Sequence, residues 1–356
     1  MAGIAIVGAG MMGTATAYPL ADNGHAIRLV GTHLDGEIIQ NCRERRYHPR
    51  LEREIPPGVE PYFVEEIAEA LDGVDIIVSG VNSLGVHWVG RTIGSYLRPG
   101  QLIIAVTKGL EAAENGDLLI LPEVLSSELP EGIRSQVELA AIGGPCIAGE
   151  LAGRRQSCVV FGSRDGDAVE RLAATFRTPY YHVWTTTDLA GLEICAALKN
   201  AYTLGVGIVL GLLEQAGGPD GAGAHMHNLA AAVFAQGCTE IDHLLQLMGA
   251  TCGFAYGLLG AGDLYVTCQG GRNMRLGRLL GLGHILAEAQ EVMAGETLEG
   301  AQTVRTMAYA LPRLEARGVI SSHDFPLMRA LVDIVVHSRP VELSLDAFFQ
   351  DIGISL

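Results

Sequence analysis

Lys199 is the residue whose type and surroundings are best suited to proton transfer. It is the only charged residue between Glu193 and Glu214, in a stretch that is apolar or small on nearly every face of a predicted helix. A buried ammonium group needs a partner, or it loses its proton. Lys199 is therefore either a general acid and base in a closed cleft or a lysine whose stem packs while its amino group reaches solvent.

The same helix contains Gly205, Gly207 and Gly211. Each glycine costs a helix about 1 kcal/mol relative to alanine. That cost predicts that a second backbone or a ligand lies close to this helix.

A second group of candidate site residues lies in the glycine-rich segment 257–273, where glycines surround Asp263 and an Arg272-Asn273 pair. Flexible glycine loops with such side chains are typical of a binding site, although an ordinary surface turn has a similar composition. The guanidinium fork of Arg272 suits a phosphate group, and Asn273 adds a neutral donor. Asp263 is a natural hydrogen-bond partner for a buried ammonium group such as that of Lys199.

The motif Gly8-Ala-Gly10-Met-Met-Gly13 lies between a strand predicted at 3–7 and a helix predicted at 14–23. In this context the motif predicts a dinucleotide site, whereas the glycines alone could simply join a strand to a helix. Gly8 permits the turn, Gly10 lets the backbone approach a pyrophosphate, and Gly13 lets helix and strand pack closely. The helix N-terminus then receives the phosphates.

The residues after the second predicted strand, His25–Val30, leave the cofactor preference open. An NAD site usually has Asp or Glu at this strand end to hold the ribose hydroxyls. Here Gly31-Thr32-His33 follow, the first acid is Asp35, and no arginine follows at once to bind a 2′-phosphate. Thr32 is the cofactor-binding candidate at this strand end, and the cofactor is NAD or NADP.

Strands and helices alternate up to about residue 186, which predicts a doubly wound, mostly parallel sheet. Ligands of such sheets bind at the carboxyl ends of the strands. Lys108 follows the strand predicted at 101–106 and is expected at that edge, unless it is a solvated loop lysine. Cys146 follows the strand predicted at 137–142. Since no histidine lies in a recognisable Cys/His context, we expect Cys146 to line a cleft rather than act as a nucleophile.

After Thr187 the strand patterns end and long apolar helical runs follow, among them 226–247, 299–317 and 324–335. The sequence therefore predicts an α/β dinucleotide-binding domain over 1–187. An all-α C-terminal domain over 188–356 would carry the substrate and catalytic residues. The chain of 356 residues is long enough for two domains.

Composition narrows the classes of partner. A formal net charge of −16 argues against nucleic acid, and a negatively charged small substrate would need a local cluster of Lys and Arg. The seven cysteines show no metal-ligand spacing, which predicts reduced thiols, a cytoplasmic protein and no metal. No signal peptide or membrane span is predicted, and a homodimer is the default assembly.

Six motifs in the same order along the chain make it resemble the NAD(P)-dependent sn-glycerol-3-phosphate dehydrogenase family. They are GAGMMG at 8–13, TKG at 107–109, GPxxA at 144–148, ALKN at 197–200, GxGDLxxTC at 260–268 and GRN at 271–273. The resemblance covers most of the chain. It implies a Rossmann N-terminal domain and hydride transfer between NAD(P) and carbon 2 of glycerol 3-phosphate, giving dihydroxyacetone phosphate.

The resemblance also implies roles for individual residues. Lys199 would be the proton acceptor and donor, with Asp263 and Lys108 as the other catalytic residues. The implied substrate-binding residues are Lys108, Gly144, Cys146, Lys199, Asn200, Asp263, Thr267, Arg272 and Asn273. The implied cofactor-binding residues are Gly8, Gly10, Met11, Met12, Gly13, Lys108, Ala148, Arg272 and Glu299.

Three departures from the family pattern concern the substrate more than the chemistry. Cys146 stands where the family usually has Ser or Thr, Leu229 stands where it often has a basic residue, and the segment around Glu299 matches loosely. The alternative is a dehydrogenase of another phosphorylated polyol or a 3-hydroxy acid on the same fold. A dinucleotide-binding sensor without catalysis is disfavoured, because it would have no use for a proton acceptor such as Lys199.

Overall fold

The computed structural model describes residues 2–350. The chain folds into two compact units. The first joins the chain up to Lys108 to Leu121–Leu192, and the second joins Gly109–Ile120 to the chain from Glu193 onward. The domain boundary after residue 187 stays a prediction, and the sequence did not indicate that the segment 109–120 groups with the second unit.

Most strands of the described residues belong to the first unit. In chain order the strands are β1 (Gly3–Val7), β2 (Ala26–Val30), β3 (Tyr47–His48), β4 (Arg53–Glu54), β5 (Val59–Tyr62), β6 (Ile76–Ser79), β7 (Leu102–Ala105), β8 (Leu110–Ala112), β9 (Leu118–Ile120), β10 (Glu138–Gly143), β11 (Ser157–Ser163) and β12 (Tyr181–Thr186).

The helices of the described residues are, in chain order, α1 (Met11–Asp22), α2 (Gly36–Arg45), α3 (Ile67–Leu71), α4 (Val86–Gly94), α5 (Leu121–Glu128), α6 (Glu131–Arg134), α7 (Ala148–Ala152), α8 (Gly166–Phe176), α9 (Leu189–Gln215), α10 (His227–Leu247), α11 (Asp263–Cys268), α12 (Arg272–Gly281), α13 (Leu286–Val292), α14 (Glu299–Ala316) and α15 (Pro326–Val335).

The first unit is built on one eight-stranded sheet with the order β12-β11-β10-β7-β6-β1-β2-β5. Every neighbouring pair is parallel except β10 with β11. The strands β5-β2-β1-β6-β7-β10 follow the doubly wound order of a Rossmann fold. Strands β6 and β7 are buried along their whole length, as expected for a parallel sheet covered on both faces. This arrangement confirms the predicted α/β class and brings the carboxyl ends of β1, β2, β6, β7 and β10 to one edge.

The second unit is helical apart from the β8–β9 hairpin, in the part of it that the structure describes. The hairpin lies against α14, where the Thr306 hydroxyl donates to the Leu110 carbonyl at 3.1 Å. Helix α9 has 27 residues and is the one helix among residues 2–350 long and apolar enough to cross a membrane, yet 83% of its most apolar window is buried. Such burial is typical of a core helix.

Helices α9 and α12 touch through their backbones. A Cβ atom built on Gly207 would lie 2.5 Å from the Met274 carbonyl oxygen and 3.0 Å from the Cα of Gly277. The next turns meet in the same way at Gly211 and Gly281. The glycines of α9 therefore admit a second backbone, which was one of the two causes that the sequence predicted.

Candidate active site

Lys199 lies within the stretch of α9 in which every residue from 191 to 209 is buried. Its amino group forms an ion pair with Oδ1 of Asp263 and donates a 3.0 Å hydrogen bond to Oγ1 of Thr267. Lys199 is 5% exposed and Asp263 1% exposed, so the alternative of an amino group that reaches solvent is wrong. Two side chains thus direct the position of a buried amine.

Asp263 is held at the start of α11 by an unusual turn. The five residues Leu258–Gly262 form a π-helical turn directly before it. Such turns are rare and are frequent at functional sites. Gly260 lies against the backbone of Ala255, where a side chain would collide with the main chain. The Thr267 hydroxyl donates to the Asp263 carbonyl at 2.7 Å, so the partners of Lys199 are also held to each other.

Cys268 follows Thr267 and is not equipped to act as a nucleophile. Burial raises the pKa of its thiol to about 11. The group is therefore protonated at neutral pH, whereas the reactive form of cysteine is the thiolate.

Three elements meet at Asn273, the second residue of α12. Its Nδ2 donates to Oδ1 of Asn200 at 2.9 Å, and its Oδ1 accepts from the backbone N–H of Gly300 at 3.0 Å. A Cβ atom on Gly300 would lie 2.5 Å from the Asn200 carbonyl oxygen. The first turns of α12 and α14 are thereby fixed to α9 directly after Lys199. Asn273 is 5% exposed, so much of its hydrogen-bonding capacity is used within the protein.

Arg272 and Glu299 are the first residues of α12 and α14, and their side chains form an ion pair at 2.7 Å. The Arg272 side chain is 46% exposed, unlike the buried Asn273 beside it. Arg272 is therefore the cation of this cluster that can meet an anion from solution. The structure brings together seven predicted site residues of the second unit: Lys199, Asn200, Asp263, Thr267, Arg272, Asn273 and Glu299.

A second buried carboxylate, Glu240 on α10, ties three helices together. It accepts hydrogen bonds from the Tyr202 hydroxyl at 2.9 Å and from the backbone N–H groups of Leu327 at 2.6 Å and Met328 at 3.0 Å. Gln236 donates the fourth bond at 2.9 Å. Burial raises the pKa of Glu240 to about 7, because these four bonds offset only part of the loss of water.

In the first unit, the predicted glycine motif forms the turn between β1 and α1. Gly8 has φ +113°, a conformation that favours glycine, and a Cβ atom there would lie 2.7 Å from the Gly80 carbonyl carbon. Gly80 in turn lies against the Gly8 carbonyl and the Cα of Gly13. Gly10 is different, because only one neighbouring atom lies within 4 Å of a Cβ built there, at 3.8 Å.

These observations fit a dinucleotide. The backbone is open to a ligand at Gly10, and the N–H groups of Met11, Met12 and Gly13 have no acceptor within helix α1 because they belong to its first turn. The positive end of the helix favours a pyrophosphate at the same place.

The other predicted site residues of the first unit lie at the same sheet edge. Thr32 follows β2, Lys108 follows β7, and Gly144 follows β10 directly. Cys146 lies between β10 and α7, and Ala148 is the first residue of α7. The Thr32 hydroxyl donates to Asp35 at 2.8 Å, while Lys108 and Cys146 are partly buried.

Comparison with known proteins identifies the family of the chain. Residues 3–169 match the N-terminus of NAD-dependent glycerol-3-phosphate dehydrogenase, and residues 188–346 match its C-terminus. The chain belongs to the NAD-dependent glycerol-3-phosphate dehydrogenase family.

Individual glycerol-3-phosphate dehydrogenases resemble it along most of its length. The NADP(+)-dependent enzyme of Archaeoglobus fulgidus is 35% identical over 288 residues, which span 81% of this chain and 82% of that protein. The NAD(P)+ enzyme of Bacillus cereus is 32% identical over 346 residues, or 96% and 94% of the two chains. The crystal structure of the Coxiella burnetii enzyme matches with a TM-score of 0.79 and 27% identity over 98% of both chains. These matches confirm the predicted family and fold.

Sequence reasoning missed two parts of this family member's candidate site. Gly80 directly follows strand β6 and packs against the glycine motif, a contact that the sequence analysis did not predict. A glycine at the end of a buried strand was the available signal. The bonding of Asn273 to Asn200 and Gly300 left no local signal, because the three residues are far apart in the chain.

Proposed function

We propose that this chain interconverts sn-glycerol 3-phosphate and dihydroxyacetone phosphate with NAD or NADP, and that Lys199 exchanges the proton. The observation that carries the proposal is the buried amino group of Lys199, held by Asp263 and Thr267 in a chain of this family. A buried lysine with a carboxylate partner and a hydroxyl partner is suited to general acid and base catalysis.

In the oxidative direction the substrate loses a hydride from carbon 2 and a proton from the hydroxyl oxygen on that carbon. Lys199, as the neutral amine, accepts that proton at Nζ. In the reductive direction the ammonium form returns it to the carbonyl oxygen. Nicotinamide, when bound, accepts or supplies the hydride.

Asp263 and Thr267 act on the position of the amine. Each accepts an N–H bond of Lys199, and the hydrogen bond between the Thr267 hydroxyl and the Asp263 carbonyl keeps the two acceptors at a constant spacing. An amine fixed in this way needs little reorganisation when the proton moves.

Arg272 is proposed to bind the substrate phosphate. Its guanidinium group is half-exposed and presents a fork that matches phosphate oxygens. Its ion pair with Glu299 orients the fork before substrate arrives. The remaining proposed substrate-binding residues are Lys108, Gly144, Cys146, Asn200 and Asn273.

The cofactor is proposed to bind along the sheet edge of the first unit. Gly8, Gly10 and Gly13 would shape the loop, and the N–H groups of Met11 and Met12 would meet the pyrophosphate. The other proposed cofactor-binding residues are Thr32, Lys108, Ala148, Arg272 and Glu299.

The test of this function is the oxidation of NADH and, separately, of NADPH, followed by absorbance with dihydroxyacetone phosphate or unphosphorylated dihydroxyacetone. We expect rapid oxidation with the phosphorylated substrate alone, and the ratio of the two rates gives the coenzyme preference. A protein that binds coenzyme but oxidises it with neither compound contradicts the substrate assignment. Cys146 in place of the family's Ser or Thr favours a second candidate, another phosphorylated polyol, which a panel of such substrates would reveal.

A cytoplasmic homodimer without membrane insertion and without a nucleic-acid partner remains part of the proposal. The net charge of −16 supports the last point. Light scattering coupled to gel filtration measures the assembly, and a mass of one chain contradicts the dimer.

A further inference from the structure

The backbone of Ala9, between the first two glycines of the motif, is held by two side chains from distant parts of the chain. Its N–H donates to Oδ2 of Asp35 at 3.2 Å, and its carbonyl lies 2.8 Å from Nε2 of His48. Both backbone polar groups of this residue are therefore bound within the protein. Ala9 itself is fully buried.

The hydrogen bonds assign the protonation of His48. The N–H of Leu51 donates to Nδ1 at 3.0 Å, so Nδ1 has no proton and the ring proton is on Nε2. Nε2 then donates to the Ala9 carbonyl. The ring is fully buried, and burial lowers the pKa of His48, in agreement with a neutral imidazole. His48 is thus a donor with one fixed direction.

Asp35 is the first acid after β2, where an NAD-binding domain often uses a carboxylate to hold the ribose. Its Oδ2 atom accepts from the Ala9 N–H and also from the N–H and hydroxyl of Thr32, at 2.9 and 2.8 Å. The side chain points into the protein, and Asp35 is only 8% exposed. It is therefore bound to the glycine-rich loop rather than displayed to a ribose.

We propose that His48 and Asp35 are positioning residues for the coenzyme, which fix the Ala9 peptide so that the N–H groups from Gly10 onward face the pyrophosphate. The proposal rests on the function proposed above. A loop held in its binding conformation loses less conformational freedom when the ligand binds. Since the pyrophosphate is common to NAD and NADP, both residues should affect the two coenzymes equally.

The test uses the full chain and titrates NADH and NADPH separately, without substrate, by coenzyme fluorescence. His48→Asn keeps an acceptor near the position of Nδ1 but loses the donor to Ala9. His48→Gln reaches far enough to keep that donor. We expect His48→Asn to raise the Kd of both coenzymes by the same factor, about fivefold or more, and His48→Gln to restore most of the affinity.

Steady-state rates separate positioning from a general loss of structure. In His48→Asn the KM for the coenzyme should rise while the KM for dihydroxyacetone phosphate stays close to that of the wild type. Unchanged Kd values in His48→Asn, or equal losses in His48→Asn and His48→Gln, overturn the inference. A wild-type protein that binds neither coenzyme would instead overturn the proposed function.

Asp35→Ala gives a second test that does not depend on how the His48 variants fold. If Asp35 is a positioning residue, the Asp35→Ala substitution should raise the Kd of NADH and the Kd of NADPH by the same factor. A carboxylate that binds the ribose predicts a different outcome, weaker NADH binding and stronger NADPH binding, because removal takes away an NAD contact and a charge that repels the 2′-phosphate. That outcome would contradict the role assigned here.

Discussion

Replacing Gly207 by alanine should disturb catalysis without changing any side chain of the candidate active site. The new Cβ atom would lie 2.5 Å from the Met274 carbonyl oxygen and 3.0 Å from the Cα of Gly277. Carbon atoms in contact prefer about 3.5–4 Å, so α9 and α12 must move apart by about 1 Å. Helix α9 carries Lys199 and α12 begins at Arg272, so the proton-transfer group and the proposed phosphate ligand would separate.

A displacement of 1 Å in an active site can lower the rate about 100-fold, and overpacking costs about 1–3 kcal/mol of stability. We therefore expect kcat/KM for dihydroxyacetone phosphate to fall by about 100-fold in Gly207→Ala. The free energy of unfolding, measured in urea, should fall by about 1–3 kcal/mol. Gly221→Ala is the control, because no atom lies within 4 Å of a Cβ built there and its φ is not positive. A Gly207→Ala protein that loses stability but keeps the wild-type kcat/KM would refute the link between helix spacing and catalysis.

Three further predictions concern the coenzyme loop, the phosphate ligand and the pH dependence of stability. In Gly80→Ala the new Cβ atom would lie 2.6 Å from the Gly8 carbonyl oxygen, so titration should show at least about tenfold weaker binding of both coenzymes. The control, Gly132→Ala, should bind both coenzymes normally, because no atom lies within 4 Å of a Cβ built at Gly132. At saturating coenzyme, Arg272→Ala should lower kcat/KM for dihydroxyacetone phosphate about 10- to 100-fold and leave the slow rate with dihydroxyacetone nearly unchanged. Equal losses with both substrates at saturating coenzyme would remove Arg272 from the phosphate. Burial raises the pKa of Glu240 from 4.5 to about 7, so the folded protein binds more protons than the unfolded chain between these pH values. Protonation of Glu240 therefore stabilises the folded protein at low pH, and this stabilisation is lost as the pH rises through 7. Relative to Glu240→Gln, the wild type should lose up to about 3 kcal/mol of unfolding free energy between pH 4.5 and pH 8, and equal pH slopes in urea unfolding would contradict this.

The parts that the sequence predicted correctly follow from strong local patterns. Buried parallel strands such as β7 are short apolar runs, so their positions were predicted to within about two residues. The partnership of Lys199 with Asp263 was predictable because a buried charge needs an opposite charge, and the glycine-rich segment offered a suitable acid. Each inference needed only composition and spacing.

The parts that were missed depend on contacts between distant segments. Strands β8 and β9 have three residues each, too few to show a period, so nothing indicated that the segment 109–120 joins the helical unit. The bonds of the Asn273 amide to Asn200 and Gly300 were not predicted, because they depend on how α9, α12 and α14 pack. Likewise, no local pattern shows that His48 bonds to the Ala9 carbonyl 39 residues earlier.

The measurement that tests the central claim most directly is the rate of Lys199→Ala beside its affinity for coenzyme. The variant is assayed for NADH and NADPH oxidation with dihydroxyacetone phosphate, its Kd for each coenzyme is titrated, and its fold is checked by thermal unfolding. If Lys199 exchanges the proton, turnover falls by at least about 1,000-fold while the Kd values stay within about twofold of the wild type. A folded Lys199→Ala protein that keeps more than about a tenth of the wild-type rate would show that another group exchanges the proton.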